Sequence, residues 1–381
     1  MKTQKVSIFV AAVLLAMSLP VRAQFDSGSD GSDGVLTVAS GQTVTLDIPD
    51  DGVFNFTTVT IDGTLQFNRN PRTNAPPILL AQGDIIININ GAVHVNGFDA
   101  TAFLSGAGGP GGFDGGQPGI AGGDPGAGHG PGAGGPGIGS AVGGNAGYGS
   151  DPIFSDFPTD GVAYGSPLLV PLVGGSGGGG DDNRGGGGGG GAILFSSTTQ
   201  VIHNGGIQAI GGSTFGAIFS HGSGGAIRIV TPFLSGSGSF SILGGGGGFG
   251  GDGRIRLDVI DRTGLTSNLV PSGTSVGSFM AVFPDVVRRL DIVHVAGNNI
   301  PEGTPSPILF VLPFGSPATQ PVTVRASGFT GLVPISIVLT PDSGERIVVD
   351  AELDADAMPP ELTINVDFPQ NVATRVHAWT R

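Results

Sequence analysis

Glycine is spread very unevenly along this sequence, and its abundance limits what the chain can fold into. Of the 73 glycines, 37 lie between residues 105 and 191, and the chain also carries 28 prolines. Glycine and proline are the two poorest helix formers, so long helices are excluded. The chain is nevertheless 39% hydrophobic and only 12% charged, whereas disordered chains combine low hydrophobicity with high charge. We therefore predict a folded protein of the all-β class.

Residues 1–23 have the features of a secretory signal peptide. Two lysines precede a short apolar run that ends at Leu19, and Ala23 closes a triplet typical of a cleavage site. The run is too short and wrongly flanked for a membrane span. We expect a secreted protein, cleaved after Ala23, whose mature chain has no membrane span and begins with an Asp/Ser/Gly-rich lead, residues 24–34. An N-terminal anchor that is never cut is the alternative.

Removal of this segment leaves a strongly acidic chain. Lys2, Lys5 and Arg22 are lost with it, which leaves 13 arginines against 30 acidic residues and a formal charge of −17. Such a chain repels phosphate backbones, so nucleic acid is excluded as a partner. It also repels anionic membranes and anionic polysaccharides unless divalent cations bridge them. Cysteine is absent, so the fold must depend on its hydrophobic core rather than on disulfides.

Two regions, residues 35–100 and 192–260, alternate apolar and polar residues and share a repeated motif. The motif, a glycine followed by apolar residues at offsets two and four, occurs at 63–67, 91–97, 205–211 and 238–244. Offsets of two place both apolar side chains on one face of a strand. The 34-residue interval from Ala192 to Ala226 indicates a stacked repeat architecture.

Short strands with glycine corners bury little apolar surface as isolated hairpins. Stacked in parallel, they form one continuous apolar column. The pattern therefore predicts a right-handed parallel β-helix over residues 35–284, with residues 105–191 as a glycine-rich insertion. An antiparallel sandwich or barrel made from the same strands is the alternative, although two-residue hairpin signals are not evident between the strands.

The glycine-rich insertion leaves two interpretations open. Collagen is excluded, because the glycine at every third position that begins at Gly106 is interrupted at Pro118. The insertion is either a flexible excursion between coils or a set of extended, polyproline-II-like passes packed side by side. Scattered apolar residues favour docking of at least part of it: Phe113, Ile120, Ile153, Phe154, Phe157, Leu168 and Leu169.

Residues 285–381 differ from the preceding regions in composition and strand length, with six glycines in 97 residues and longer alternating strands. Six or seven strands at about ten-residue spacing predict an immunoglobulin-like β-sandwich. Trp379, the only tryptophan, is expected in its core, with an exposed sugar-stacking position as the alternative.

Two segments carry a family resemblance: Gly224-Gly225-Ala226-Ile227-Arg228-Ile229 and Gly251-Asp252-Gly253-Arg254-Ile255-Arg256-Leu257. Their repeat style resembles that of glycine-rich, pectin-lyase-like β-helix proteins secreted by bacteria, and the resemblance covers residues 35–260. It implies an extracellular solenoid, commonly associated with carbohydrate or with adhesion.

Polygalacturonase-like hydrolases of this architecture carry an Asn-Thr-Asp element, paired aspartates, Gly-His-Gly and Arg-Ile-Lys, in that order. Asp181-Asp182, His221 and Arg254-Ile255-Arg256 follow the same order here. Inverting hydrolysis needs two carboxylates that hold a water between them. The Asn-Thr-Asp element is missing, however, and Arg256 replaces the lysine, so we predict no catalytic residues.

Lyase chemistry needs a base and groups that stabilise an anion. Arg228, Arg254 and Arg256 are the basic residues clustered in the later strands. Because Arg254 and Arg256 alternate with Ile255, we expect them on the outer surface, paired with acids of neighbouring coils.

Calcium is the cofactor that the sequence leaves open. Asp26, Asp30 and Asp33 resemble the start of a calcium loop, but Thr37 stands where the loop needs a glutamate. Residues 247–252 begin like a calcium-binding nonapeptide repeat, in a single copy. No other cofactor or metal is predicted.

The sequence therefore favours a secreted, non-catalytic structural or adhesive protein, or a carbohydrate-binding one, at the cell surface or in the extracellular matrix. Its expected partners are extracellular polysaccharides or cell-surface components. A hydrolase or lyase acting on acidic glycans is the first alternative, and an inert envelope spacer is the second.

Overall fold

A computed structural model describes residues 25–119, 122–139, 142–153, 159–216, 218–269, 273–304 and 306–381. The predicted signal peptide and its cleavage site lie outside these residues, as do Ile120, Phe154 and Phe157. Almost all regular structure is β-strand, which confirms the all-β class. The helical content of the described chain is one turn, α1 (Gly245–Gly248), in which Gly246 and Gly247 have positive φ.

Within the described residues, fourteen strands form the first part of the chain. They are β1 (Gly34–Val38), β2 (Thr43–Asp47), β3 (Val53–Ile61), β4 (Thr64–Asn68), β5 (Ile78–Ala81), β6 (Ile85–Ile87), β7 (Ala92–His94), β8 (Ala192–Ser197), β9 (Gln200–His203), β10 (Gly206–Gln208), β11 (Ala226–Ser235), β12 (Ser239–Ser241), β13 (Arg254–Asp261) and β14 (Thr274–Gly277). Every pair among them is parallel.

Six of these strands close into a parallel barrel, in the order β3-β5-β8-β11-β9-β6 and back to β3. The barrel closes because β3 and β11, nine and ten residues long, each pair with two shorter strands. Val53–Phe56 pairs with β5 and Val59–Ile61 with β6. Ala226–Val230 pairs with β8 and Phe233–Ser235 with β9. Strand β1 extends the sheet at β3, and β13 and β14 extend it at β11.

The predicted fold is therefore wrong. The structure has a closed six-stranded parallel barrel with further parallel strands, not a right-handed parallel β-helix. The physical reason is the length of β3 and β11: the sequence pattern predicted only short strands with glycine corners, whereas each of these two strands pairs with two partners along its length.

A second parallel sheet, in the order β12-β10-β7-β4-β2, packs against the barrel strands. Its inward side chains, such as Leu65, Val93 and Ile207, belong to the same buried apolar cluster as Ile85 and Ile227 of the barrel. One continuous core therefore supports both sheets.

Seven strands follow: β15 (Arg289–Val295), β16 (Asn298–Asn299), β17 (Thr319–Ser327), β18 (Leu332–Pro341), β19 (Ile347–Asp354), β20 (Glu361–Asp367) and β21 (Thr374–Thr380). They form two antiparallel sheets, β16-β15-β17-β20 and β19-β18-β21, which share one apolar core. The structure therefore has a four-stranded and a three-stranded antiparallel sheet in place of the predicted immunoglobulin-like sandwich.

Between and beside the parallel strands, glycine-rich segments pack into a bundle of extended passes, here called the glycine bundle. Its passes include residues 95–101, 106–109, 110–119, 126–137, 143–149, 174–180, 185–191, 209–212, 220–225, 242–244 and 250–253. Several of them run directly into or out of strands: β7 continues into 95–101, and 185–191 continues into β8. The bundle therefore extends from the parallel sheets themselves.

The run Gly185–Gly191 lies at the centre of this bundle, and its hydrogen bonds repeat every three residues. Gly185, Gly188 and Gly191 donate to the segment 95–101, Gly186, Gly189 and Ala192 to the segment 110–116, and Gly187 and Gly190 to the segment 220–223. Successive N–H groups thus point in three directions, as in a helix with three residues per turn. This is the period of polyproline II.

The carbonyl oxygens of the same run accept hydrogen bonds from three further passes. Gly186 and Gly189 accept from the segment 106–109, Gly187 and Gly190 from the segment 175–178, and Gly188 from Gly212. Six passes therefore surround the central one, three as acceptors and three as donors.

Glycine is required here because the backbones touch. A Cβ atom at Gly186, Gly188 or Gly189 would lie closer than 3.0 Å to a carbonyl oxygen of a neighbouring pass, a separation that real Cβ contacts essentially never show. Of the two interpretations of the glycine-rich insertion, the described residues adopt the packed passes.

Candidate functional site

The glycine bundle has one end at the parallel sheets and one end made of turns. Hydrogen-bond register places residue 101 beside Gly185, and residue 220 beside Gly187. The turns at residues 102–105, 181–184, 213–216 and 218–219 therefore lie together, next to the start of the central pass. This group of turns is called the loop end.

Large apolar side chains are exposed at or near the loop end instead of being buried. Phe103 is 74% exposed and Phe215 is 63% exposed. The full set, here called the apolar loop patch, is Phe98, Phe103, Leu104, Phe215 and Ile218. Exposed apolar side chains grouped on neighbouring loops are typical of interaction sites.

Hydrogen bonds fix the two patch loops against each other. The Ala100 amide donates to the Ser213 carbonyl at 2.8 Å, and the Ser213 amide donates to Asp99 Oδ1 at 2.7 Å. Gly185 links the same loops, because its amide donates to the Thr101 carbonyl and its carbonyl accepts from Thr214 Oγ1 at 2.8 Å. The patch is thus carried on loops held by a rigid scaffold, the usual arrangement of binding sites.

His221, a candidate from the hydrolase pattern, supports one of these loops. Its Nδ1 accepts a hydrogen bond from the Thr214 amide at 3.2 Å, and its ring stacks on Phe249 with centroids 5.8 Å apart. Ser213 Oγ accepts from the Gly246 amide at 2.9 Å, which ties the loop to α1. His221 is therefore a positioning residue for the loop segment 213–216.

The other hydrolase candidates have local partners of their own. Asp181 forms an ion pair with Arg184 at 3.7 Å, and its Oδ1 accepts from the Asn183 amide at 2.8 Å within the turn. Arg254 donates to the Tyr164 carbonyl at 2.7 Å. Asp182 is exposed in the same turn as Asp181.

Arg256 is buried, which corrects the expectation that it lies on the outer surface, and Arg228 is buried beside it. Both pair with Asp258, Arg256 at 2.6 Å and Arg228 at 3.2 Å, and Asp258 is fully buried. Arg228 Nη2 also donates to the Ala281 carbonyl at 2.8 Å. The chain after β14 covers these side chains, and this long-range packing has no signature in the strand pattern.

The calcium candidates use their carboxylates locally. Asp26 Oδ1 accepts from the Gly28 amide at 2.9 Å, and Asp30 Oδ1 accepts from the Ser32 amide at 2.8 Å. Asp33 Oδ2 accepts from the Asn55 amide at 2.5 Å. Within the described ranges, no group of three or more His, Cys, Asp or Glu side chains is placed to hold a metal ion.

Trp379 lies where the glycine bundle meets the antiparallel sheets. Its ring packs edge-on against Phe113, with centroids 5.6 Å apart, and stacks on His377 at 5.2 Å. Burial, reinforced by the charge of Arg375, lowers the pKa of His377 to about 4. The junction is thus a mixed aromatic and charged contact, not an exposed sugar-stacking face.

Asp114 and His129 complete this junction. Burial would raise the pKa of Asp114, but the charge and hydrogen bond of Arg69, the Gly108 amide and the charge of Arg375 together outweigh burial and hold that pKa at about 2. Burial, with Arg375 nearby, lowers the pKa of His129 to about 3. Asp114 is therefore ionised and His129 neutral at neutral pH.

An open groove of about 590 Å³ runs along the outer face of the four-stranded antiparallel sheet. Arg325 bridges Glu361 at 2.8 Å and Glu302 at 2.7 Å, and Arg289 also pairs with Glu302, at 3.0 Å. The hydrogen bond from Arg325 holds the pKa of Glu302 below its usual value. These charges pair with one another, so a charged ligand would have to displace existing ion pairs.

Sequence reasoning missed the apolar loop patch. The signal was present, because Phe103-Leu104 and Phe215 stand in glycine-rich segments without strand alternation. Large apolar residues at such turns have no strand face to occupy.

Among the described residues, no helix is long and apolar enough to cross a membrane. The chain matches no protein-family model, no curated protein and no solved structure.

Proposed function

We propose that this chain is a secreted, non-catalytic binding protein that attaches to extracellular polysaccharide or other cell-surface components through its apolar loop patch. The observation that carries the proposal is the set of exposed phenyl and aliphatic side chains on two hydrogen-bonded loops at the end of the glycine bundle.

The chemistry of the patch suits a neutral glycan. Phenyl rings such as Phe103 and Phe215 offer flat apolar faces for the C–H faces of sugar rings. Hydroxyl and carboxylate oxygens lie on the same loops, at Thr101, Asp99 and Ser213. The formal charge of −17 of the mature chain disfavours anionic polysaccharides.

The partners of the catalytic candidates support a non-catalytic role. Asp181 is held by Arg184 and the turn backbone, and Arg256 is paired with buried Asp258. A general base must be within reach of its substrate, and Arg256 and Asp258 are closed off from solvent.

Binding to a panel of insoluble and immobilised polysaccharides tests the proposal. The purified protein should bind at least one neutral glycan, and Phe103→Ser with Phe215→Ser should weaken that binding at least tenfold. Ile89→Ser is the matched control, because Ile89 is 80% exposed on a different turn, and it should leave binding unchanged.

Three outcomes would overturn the proposal. Absence of binding to every glycan would favour the inert spacer. Equal loss of binding in the Ile89 control would show non-specific adsorption. Depolymerisation of acidic glycans that Asp182→Asn abolishes would favour the hydrolase. Repeating the measurement with EDTA tests the open prediction of calcium.

A further inference from the structure

The connection between β16 and β17 carries an exposed apolar segment, residues 308–312, with the sequence Ile-Leu-Phe-Val-Leu. Leu309 is 92% exposed and Val311 is 87% exposed, whereas Phe310 packs partly against the core of the antiparallel sheets. From Leu309 to Leu312, exposed and half-buried side chains alternate, which is the pattern of a β-strand, and Ile308 before them is also exposed.

The backbone of this segment is unpaired. None of the amide N–H groups of residues 308–312 donates a hydrogen bond to a described residue, and none of these residues has a positive φ. Pro307 and Pro313 bracket the segment. Free N–H and C=O groups beside exposed apolar side chains are a template for pairing with another strand.

The charge distribution indicates which strand can approach. Residues 303–324 contain no charged side chain, although the whole chain has a formal charge of −14. Two copies of so acidic a chain repel each other over most of their surface. Repulsion is weakest at this uncharged stretch.

We infer that residues 308–312 pair antiparallel with the same segment of a second copy of the chain. With the two-fold axis at Phe310, Ile308 faces Leu312 and Leu309 faces Val311 of the other copy. Every cross-strand pair is then apolar, and one surface serves both partners, as a two-fold dimer requires. The inference is independent of the apolar loop patch.

Analytical ultracentrifugation of the full chain tests the inference. The protein should form a dimer at micromolar concentration, since a single strand pair is a small interface. Leu309→Arg should raise the dimer dissociation constant at least tenfold by charge repulsion. Val311→Pro should do the same by blocking strand pairing while keeping the segment apolar. Ile89→Arg is the control and should stay dimeric.

Leu309 and Val311 are almost fully exposed, so their variants should keep the thermal midpoint of the wild type, and circular dichroism checks this. A wild-type protein that stays monomeric up to millimolar concentration would overturn the inference. So would Leu309→Arg and Val311→Pro variants that remain as dimeric as the Ile89→Arg control. A monomer that binds phosphatidylcholine vesicles through this segment would replace the second copy with a membrane surface.

Discussion

The strands of the parallel barrel and the passes of the glycine bundle alternate along one chain, yet the two regions are held together differently. In the barrel strands, Leu79, Ile85 and Ile227 are fully buried in the apolar core that these strands share with the second parallel sheet. In the bundle, backbones touch directly, and a Cβ at Gly188 would collide with the Ala107 carbonyl. The barrel is therefore stabilised by side-chain burial, and the bundle by hydrogen bonds and close backbone contact.

This difference has an energetic consequence. Ordering a residue costs about 1–2 kcal/mol of backbone entropy, and glycine costs more than any other residue. A hydrogen bond returns only about 1 kcal/mol net, and glycine buries no side chain. The bundle is therefore marginal alone, and its direct continuity with strands such as β8 and β11 lets the barrel hold its passes in place.

The largest expected effect concerns the buried ion pairs of the strand region. Asp258→Asn should destabilise the protein by about 3–5 kcal/mol, because it leaves Arg228 and Arg256 as buried charges without a counter-ion. Chemical denaturation measures the change. Arg72→Gln, which breaks an exposed ion pair with Asp50, should cost less than about 1 kcal/mol. Equal effects of the two changes would contradict this account.

The next effect tests the close backbone contact of the bundle. Gly188→Ala should cost about 1–3 kcal/mol, the usual penalty of overpacking, because the surrounding passes leave no room for a methyl group. Gly206→Ala in β10 is the matched control, since the nearest atom to its Cβ would be Ser239 Oγ at 3.7 Å. The control should unfold within about 0.5 kcal/mol of the wild type or be more stable. If both alanines are tolerated, the close packing is refuted.

A third effect concerns pH in the strand region. His203 in β9 is fully buried beside Phe240, and burial lowers its pKa to about 4. Because the unfolded chain binds the proton near pH 6.5, this contribution to stability is complete above pH 6.5 and is lost as the pH falls toward 4. We expect a loss of roughly 1–3 kcal/mol from this group.

His203→Leu removes the titrating group and puts an apolar side chain of similar size in its place. Urea unfolding between pH 7 and 4 should then show a shallower dependence on pH than in the wild type. An unchanged slope would mean that His203 does not carry this dependence.

The smallest effect separates the apolar loop patch from the core. Phe215→Ser should change the free energy of unfolding by less than about 0.5 kcal/mol, because the side chain is exposed. Ile227→Ala in the barrel should cost about 2–5 kcal/mol. Thermal unfolding of both variants checks the contrast, and a destabilised Phe215 variant would mean that the patch belongs to the fold.

Sequence periodicity predicted the all-β class and the register of paired strands, but it did not predict that six strands close into a barrel. The 34-residue interval from Ala192 to Ala226 is the register of the parallel β8–β11 pair. The barrel was missed because β3 and β11 continue beyond one partner strand, and a local pattern does not show which strand pairs with each half.

The candidate site was predictable to a lesser extent. Alternation with Ile255 placed Arg256 outside the core, but the chain near Ala281 covers that face and buries it. The glycine bundle also includes residues 209–212 and 220–225, well beyond the predicted insertion. Such long-range contacts have no short-range signal in the sequence.

Native-state hydrogen exchange of the Gly185–Gly191 amides tests the central claim most directly. If each amide is bonded to a neighbouring pass in a three-residue cycle, all seven should be protected to a degree similar to the amides of β8. Exchange of these glycines at the rate of an unstructured peptide, while β8 stays protected, would contradict the account.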